Sequence, residues 1–153
     1  MLRDQDITTL NSLITTTIDS ANGFERSAED SDSGRFAEMF REFGQERRAV
    51  VSMLQEQVRA LGGEPNDDGS LTANLHRRWV DLRAAIAGEG GDKAVIEEVE
   101  RGEDHIKAKY EAALKEENLA PETLAVIREG YQSVRAGHDR ASQLKHSMQG
   151  TGA

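Results

Sequence analysis

A buried carboxylate is the feature of this sequence that bears most directly on chemistry. Residues 95–110 have the pattern of an amphipathic helix, and Glu103 lies in its apolar stripe, where an aliphatic residue is expected. The apolar members of the stripe are Ile96, Val99, Ile106, Tyr110 and Ala113. A carboxylate removed from water needs a metal ion or a cationic partner, because an isolated buried charge is costly. The partner of Glu103 is therefore the functional question that the sequence raises.

Other acids and one imidazole are candidates to join Glu103 in a metal site. Helical bundles that hold two metal ions use one Glu from each of two helices and a Glu-x-x-His motif from each of the other two. The candidate ligands here are Glu46, Glu100, Glu103 and His138, with Glu25 as an outlying ligand. Whether they meet depends on the helices that carry them.

Length and composition restrict the class of protein. The chain has 153 residues, which is enough for one domain with its own core. Its 28 acidic and 19 basic side chains give a formal net charge of -9, which repels nucleic-acid phosphates and anionic membranes. We therefore expect no nucleic-acid and no membrane partner.

The cysteine count and the longest uncharged stretch concern the cellular location. No cysteine is present, which excludes disulfides and thiolate sites and is compatible with a reducing cytoplasm. Residues 7–18 are uncharged but rich in Thr, Ser and Asn, so they are neither a signal peptide nor a membrane span. We expect a cytoplasmic protein.

The sequence pattern predicts an all-α protein. Prolines number only two, and apolar residues recur at helical spacing between breaks rich in Gly, Asp and Ser. The predicted helices cover residues 4–29, 33–61, 70–87, 92–117 and 121–147. They form a single domain, residues 1–148, which is followed by a frayed tail at 149–153.

Helix lengths and connections predict how the domain is built. Four of the helices are long, and short turns join them into two antiparallel hairpins. The long crossover between the hairpins contains the short helix 70–87. This is the plan of a ferritin-like four-helix bundle with a short fifth helix in its crossover.

Five short motifs follow one another along the chain. They are Asn-Gly-Phe at 22–24, Gly-Gly-Glu-Pro at 62–65, Gly-Ser-Leu-Thr-Ala-Asn-Leu-His-Arg-Arg-Trp at 69–79, Glu-Arg-Gly-Glu-Asp at 100–104 and His-Asp at 138–139. Together they resemble a bacterial family of ferritin-like four-helix bundles that is classed as a domain of unknown function. The resemblance covers nearly the whole chain and implies the same fold. It implies no reaction, because a fold does not determine an activity.

Helix geometry tests the metal hypothesis. At about 1.5 Å of rise per residue, Glu46 lies close to the level of Glu103, and His138 lies level with Glu100. The helices that follow residues 33, 92 and 121 thus bring candidate ligands to one layer. At this level the first helix presents only the apolar residues Ile14, Ile18 and Ala21.

The ligand motif of a dinuclear site is also incomplete. Ala49 stands three residues after Glu46, where a His is needed, and Arg135 stands three residues before His138, where a Glu is needed. Glu25 faces inward but lies about two turns from the layer. The sequence therefore lacks several of the usual ligands.

Two hypotheses remain open for the buried acid. In the first, Arg135 lies beside Glu103 and supplies the positive charge, so that a Glu–Arg–His network fills the interior without a cofactor. In the second, an iron or manganese ion is bound by Glu46, Glu100, Glu103 and His138.

The sequence favours a non-enzymatic protein. It contains no nucleophile paired with a base, no phosphate-binding loop and no nucleotide motif, so no catalytic residues are assigned. The family resemblance implies a stress-associated or partner-binding role with an unidentified protein partner. A homo-oligomer is an alternative, with Met39, Phe40 and Val51 as the apolar contact residues.

Overall fold

Four α-helices make up most of the structure, which is a computed structural model and describes residues 3–30, 34–69, 80, 84 and 91–151. They are α1 (Asp4–Asp30), α2 (Gly34–Ala60), α3 (Gly91–Leu114) and α4 (Pro121–Thr151). The described ranges contain no β-strand, so the prediction of an all-α protein is confirmed. The predicted helix 70–87 lies outside the described residues, apart from Val80 and Ala84.

Glycine, asparagine and proline set the helix ends. Gly62 has a φ of 85°, and the Gly63 N–H donates to the Val58 carbonyl at 3.0 Å, which closes the last turn of α2 in a Schellman motif. Asn118 has a φ of 71° in the turn before α4, a conformation that asparagine tolerates better than most residues. Pro121 begins α4, where its missing N–H costs no hydrogen bond.

Two helix ends differ from the sequence prediction. α3 ends at Leu114 rather than near residue 117. The N–H groups of Lys115 and Glu116 donate to carbonyls three residues earlier, at 3.2 Å each. These hydrogen bonds have the 3₁₀ pattern, so the α-helix has ended before them. α4 continues to Thr151, into the stretch predicted to fray.

The helices form two antiparallel hairpins. α1 packs along α2, and α3 packs along α4. Between the hairpins α2 packs on α4 and α1 packs on α3, so α2 and α3 lie diagonally opposite each other. They run parallel, as one long crossover requires. The predicted topology of the four long helices is therefore confirmed.

The core consists of two hydrophobic clusters stacked along the bundle axis. The aliphatic cluster contains Leu10, Leu54 and Ile127 among its fully buried residues. The aromatic cluster contains Phe24 and Phe43, whose ring centroids lie 5.0 Å apart. Burial of this apolar surface is the main favourable contribution to folding.

The residues predicted to form an oligomer contact belong to this core. Met39, Phe40 and Val51 are all buried between the helices, so the prediction that they form an exposed patch is wrong. Among the described residues, Val80 is the only large hydrophobic side chain that is exposed. None of the described helices has the length and apolar character needed to span a membrane.

The start of α1 holds the turn between α3 and α4. Asp6 is buried, and its Oδ2 accepts hydrogen bonds from the Ala120 N–H at 3.0 Å and from the Thr123 hydroxyl at 2.7 Å. Arg3 Nε lies 3.2 Å from the same oxygen. Burial raises the pKa of Asp6, but the hydrogen bonds of Thr123 and Ala120 and the charge of Arg3 outweigh it and lower the pKa overall. Asp6 is thus an acceptor for the first turn of α4, although it lies on another helix.

Asp6→Ala is expected to lower the free energy of unfolding at neutral pH by about 1–3 kcal/mol, because buried donors lose their acceptor. Folding lowers the pKa of Asp6. The contribution is therefore fully present above the ordinary value of about 3.9 and is lost as the pH falls through the lower folded-state value. Urea denaturation at neutral and acidic pH measures this change.

Asp67→Ala is the control for this variant, because Asp67 is exposed. It is expected to change stability by less than about 0.5 kcal/mol. A loss for Asp6→Ala that stays the same from neutral to strongly acidic pH would contradict the role assigned to the ionised carboxylate.

Candidate functional site

One level of the bundle is polar although it is enclosed by the helices. It lies where the aliphatic cluster meets the aromatic cluster, and each helix contributes one residue. The charged layer consists of Ser20 of α1, Arg47 of α2, Glu103 of α3 and Gly137 of α4. It contains the buried acid that the sequence predicts.

Arg47 and Glu103 form an ion pair across the diagonal of the bundle. Their side chains expose 0% and 1% of their surface. Arg47 Nη2 donates to Glu103 Oε2, and Arg47 Nε donates to Ser20 Oγ at 3.3 Å. Within the described part of the chain, Arg47 Nη1 has no hydrogen-bond partner. The guanidinium carbon lies 6.0 Å from the centroid of the Phe24 ring. Cation–π attraction to this ring offsets part of the free energy that the missing hydrogen bond of Nη1 costs.

Opposing effects act on the charge of Glu103. Burial raises the pKa of its carboxyl, because the ionised form loses its hydration. The Arg47 guanidinium lowers the pKa through its charge and its hydrogen bond, and the net shift is upward. An arginine side chain keeps its positive charge in proteins. The layer therefore always holds a cation, and Glu103 is the acceptor that faces it.

A second buried polar contact lies about two turns along α3 from Glu103. The hydroxyl oxygens of Tyr110 and Thr17 are 2.7 Å apart. Thr17 donates its only hydroxyl hydrogen to the Leu13 carbonyl at 2.6 Å, so Tyr110 is the donor to Thr17. Burial raises the pKa of Tyr110 to about 12, and the hydroxyl therefore keeps its hydrogen at neutral pH.

Two glycines of α4 make room for these polar groups. A Cβ atom on Gly137 would lie 2.8 Å from Glu103 Oε2 and 2.9 Å from Arg47 Nη2. A Cβ atom on Gly130 would lie 3.0 Å from Tyr110 Cε1. Because neither glycine has a side chain, α4 approaches the polar groups more closely than a substituted helix could.

His138 lies at the edge of the charged layer. Its side chain is 18% exposed, its Nε2 lies 2.6 Å from Asp104 Oδ1, and its Nδ1 lies 3.4 Å from Asp139 Oδ1. It is close enough to Glu103 for its charge to lower the pKa of that carboxyl. The hydrogen bonds of the imidazole go to Asp104 and Asp139, and none goes to Glu103.

The other predicted ligands lie outside the core. Glu46 is exposed, although it is near enough to Glu103 to raise the pKa of that carboxyl. Glu100 is half-buried and accepts a hydrogen bond from Lys145 at 3.0 Å. Of the five candidate ligands, one points into the interior, and its partner is a cation.

The inward orientation predicted for Glu25 is wrong. Phe24 takes the buried position on this turn of α1, and Glu25 is exposed. Its two carboxylate oxygens accept hydrogen bonds from Arg48 at 2.9 and 3.0 Å, and this contact lowers the pKa of Glu25. Glu25 belongs to a surface ion pair.

The prediction that Arg135 is the partner of Glu103 is also wrong. Arg135 is 63% exposed, and the guanidinium that reaches Glu103 comes from Arg47. The error follows from the orientation of α4. This helix turns Gly137 into the core, whereas the sequence prediction places the larger His138 there.

Arg47 is the member of the charged layer that was not predicted from the sequence. Phe43 and Val50 are apolar and seven residues apart, which is about two helical turns, so the same face of the helix has one further inward position between them. Arg47 lies four residues after Phe43 and three before Val50, which is the spacing of that position. A gap in the stripe at the level of a buried acid was the signal for it.

The charged layer does not fit a dinuclear metal centre. Such a centre needs several carboxylates and imidazoles at one level. The layer offers one carboxylate, which is already bonded to a guanidinium. Among the residues that the structure describes, no three or more His, Asp or Glu side chains are grouped so as to hold a metal ion.

The topology and the enclosed polar level define the class of protein as a ferritin-like four-helix bundle. A solved structure with this fold is a two-domain protein from Anabaena variabilis that contains DJ-1/ThiJ/PfpI-like and ferritin-like domains. This chain and the solved chain have 15% sequence identity, and their structures superpose with a TM-score of 0.73. The similarity covers 99% of this chain and 39% of that one.

Residues 5–116 match the family model described as Domain of unknown function (DUF2383). The chain belongs to this family. The predicted resemblance to a ferritin-like family of unknown function is therefore confirmed. The match ends before α4, which supplies Gly137 to the charged layer. No curated protein matches this chain.

Proposed function

We propose that this protein is a non-enzymatic bundle that acts by binding another protein in the cytoplasm, and that an ion pair takes the place of a metal centre in its interior. The observation that carries this proposal is the fully buried guanidinium of Arg47 beside Glu103. The competing proposal is a protein that binds iron or manganese through Glu46, Glu100, Glu103 and His138.

The charge of the layer supports the first proposal. A bound divalent cation would need the Glu103 carboxylate, which already neutralises Arg47. Such a cation would also lie close to a guanidinium that keeps its charge, and the repulsion would be strong in a site from which water is excluded. Under this proposal an arginine supplies the positive charge that metal ions supply in dinuclear four-helix bundles.

The domain organisation of the similar protein from Anabaena variabilis supports a binding role. In the Anabaena variabilis structure the ferritin-like domain shares a chain with a DJ-1/ThiJ/PfpI-like domain. We infer that the present bundle also works beside another protein. The stress-associated role implied by the family resemblance belongs to the same proposal, since a binding protein can protect or regulate its partner.

Protein purified without chelator is expected to contain much less than one iron or manganese ion per chain, because the interior carboxylate is already paired. Elemental analysis by mass spectrometry measures the metal content. Calorimetric titration with Fe²⁺ and with Mn²⁺ is expected to give no stoichiometric binding, and His138→Ala is expected to behave like the wild type.

A variant of an exposed histidine distinguishes a specific metal site from non-specific metal binding at the surface. His146 is exposed on the same helix as His138, so His146→Ala is the matched control. Stoichiometric metal that is lost in His138→Ala but kept in His146→Ala would overturn the proposal and favour the metal-binding alternative.

The binding role needs a separate experiment. The full chain, tagged and purified from cells at native abundance, is expected to carry a second protein at fixed stoichiometry by native mass spectrometry. Growth under stress is expected to change the amount of this complex. A chain that is always recovered alone, under every growth condition tested, would contradict the binding role.

A further inference from the structure

Polar contacts connect the two hairpins at several levels of a mainly apolar interface. Each contact joins a residue of the α1–α2 hairpin to a residue of the α3–α4 hairpin. They include Asp6 with Thr123, Thr17 with Tyr110, Arg47 with Glu103, and Glu42 with Arg140. The third contact is the only one of these in which both partners are charged and fully buried.

Apolar side chains alone leave the docking of two hairpins weakly specified. A slide of one helical turn, about 5.4 Å, brings other apolar residues into contact, because apolar residues recur at that spacing on every helix. Such a slide would place Arg47 and Glu103 against aliphatic or aromatic neighbours. Two buried charges without partners cost far more than the apolar contacts could recover.

The glycines of α4 favour the same register. They do so through α2, which belongs to the other hairpin. A Cβ atom on Gly137 would lie 2.9 Å from Arg47 Nη2, and a Cβ atom on Gly130 would lie 3.1 Å from Val50 Cγ1. One turn away, Val134 would bring a side chain to a level that has no room for a Cβ atom.

We propose that the Arg47–Glu103 pair sets the register in which the α3–α4 hairpin docks on the α1–α2 hairpin, and that this role outweighs its contribution to stability. The pair acts by making every other register costly. A buried ion pair adds little stability relative to well-packed apolar residues of similar volume, because dehydration of both charges offsets their attraction. It discriminates strongly between registers for the same reason.

Spin labels on the full chain test this proposal. The sequence has no cysteine, so introduced cysteines are the only labelling sites. Glu38 of α2 and Arg128 of α4 are exposed and lie far apart along the bundle axis, so a slide of the hairpins changes their separation. Double electron–electron resonance is expected to give one narrow distance in the otherwise wild-type chain.

The double variant R47M/E103L is expected to stay helical but to show a second distance, displaced by several ångströms, as a slide of about one turn requires. The control E42Q/R140Q removes an exposed ion pair between the same two hairpins and is expected to keep the single distance. R47Q/E103Q keeps a buried polar pair and is also expected to keep it.

Two results would overturn the proposal. One is a single, unchanged distance in R47M/E103L, which would show that the apolar contacts alone set the register. The other is failure of R47M/E103L to fold while R47Q/E103Q folds, which would make the pair chiefly a source of stability. Circular dichroism distinguishes this second case from a shifted but folded bundle.

Discussion

Arg47→Met is expected to lower the free energy of unfolding by about 3–5 kcal/mol, because it leaves the Glu103 carboxylate buried without a counter-charge. The loss is large relative to the total stability of a domain of this size, which is about 5–15 kcal/mol. Equilibrium denaturation in urea, followed by helical circular dichroism, measures it.

The double variant R47M/E103L is expected to recover most of this loss and to lie within about 1 kcal/mol of the wild type or above it, because no charge is then buried. Arg48→Met is the control. Arg48 neighbours Arg47 but pairs with Glu25 at the surface, where both side chains are more than two-fifths exposed (43% and 46%). Its loss is expected to stay below about 1 kcal/mol.

The effect of Arg47→Met is expected to depend on pH. Without the guanidinium, burial dominates and the pKa of Glu103 rises further. A carboxyl whose folded-state pKa exceeds its unfolded value of about 4.3 destabilises the fold increasingly as the pH rises between the two values. The deficit of the variant is therefore expected to be smaller at mildly acidic pH than at neutral pH. A constant deficit would mean that Glu103 finds another partner.

Gly137→Ala is expected to lower the free energy of unfolding by about 1–3 kcal/mol, because the added methyl group overlaps the ion pair. The sign of this change in the free energy of unfolding is informative. A change from glycine to alanine inside a helix normally stabilises it by up to about 1 kcal/mol. At Gly137 the methyl carbon would lie 2.8 Å from Glu103 Oε2, so the steric cost outweighs this gain.

Gly102→Ala is the matched control for this second prediction. Gly102 lies within α3 next to Glu103, and a Cβ atom there would meet nothing within 4 Å. It is expected to stabilise the protein by up to about 1 kcal/mol. If both variants stabilise the protein by similar amounts, then α4 can move away from the charged layer, and the close packing described above does not limit stability.

The topology could be predicted from the sequence because it depends on features that repeat. Apolar residues recur at helical spacing over four long stretches, and Gly62 and Pro121 mark helix ends through their own backbone geometry. The buried acid could also be predicted, since Glu103 interrupts a continuous apolar stripe.

The partner of that acid could not be predicted as readily, because the two positions that decide it carry little hydrophobic signal. Arg47 has a charge, which directs a pattern-based assignment outward, although its long stem and guanidinium fit inside when an acid faces it. Gly137 has no side chain, so the neighbouring His138 dominates the pattern. The predicted alignment of α4 with α3 is also off by two residues, because Gly137 rather than Arg135 faces Glu103.

The contact between Asp6 and the turn before α4 links the motions of distant parts of the chain. Asp6 and Ala120 are 114 positions apart in sequence, yet one carboxylate oxygen joins them. Unwinding of the first turn of α1 removes the acceptor of the Ala120 N–H, and opening of the turn removes the donors of Asp6. Local fluctuations at these two places are therefore cooperative, and amide hydrogen exchange at the start of α4 depends on how often the first turn of the protein frays.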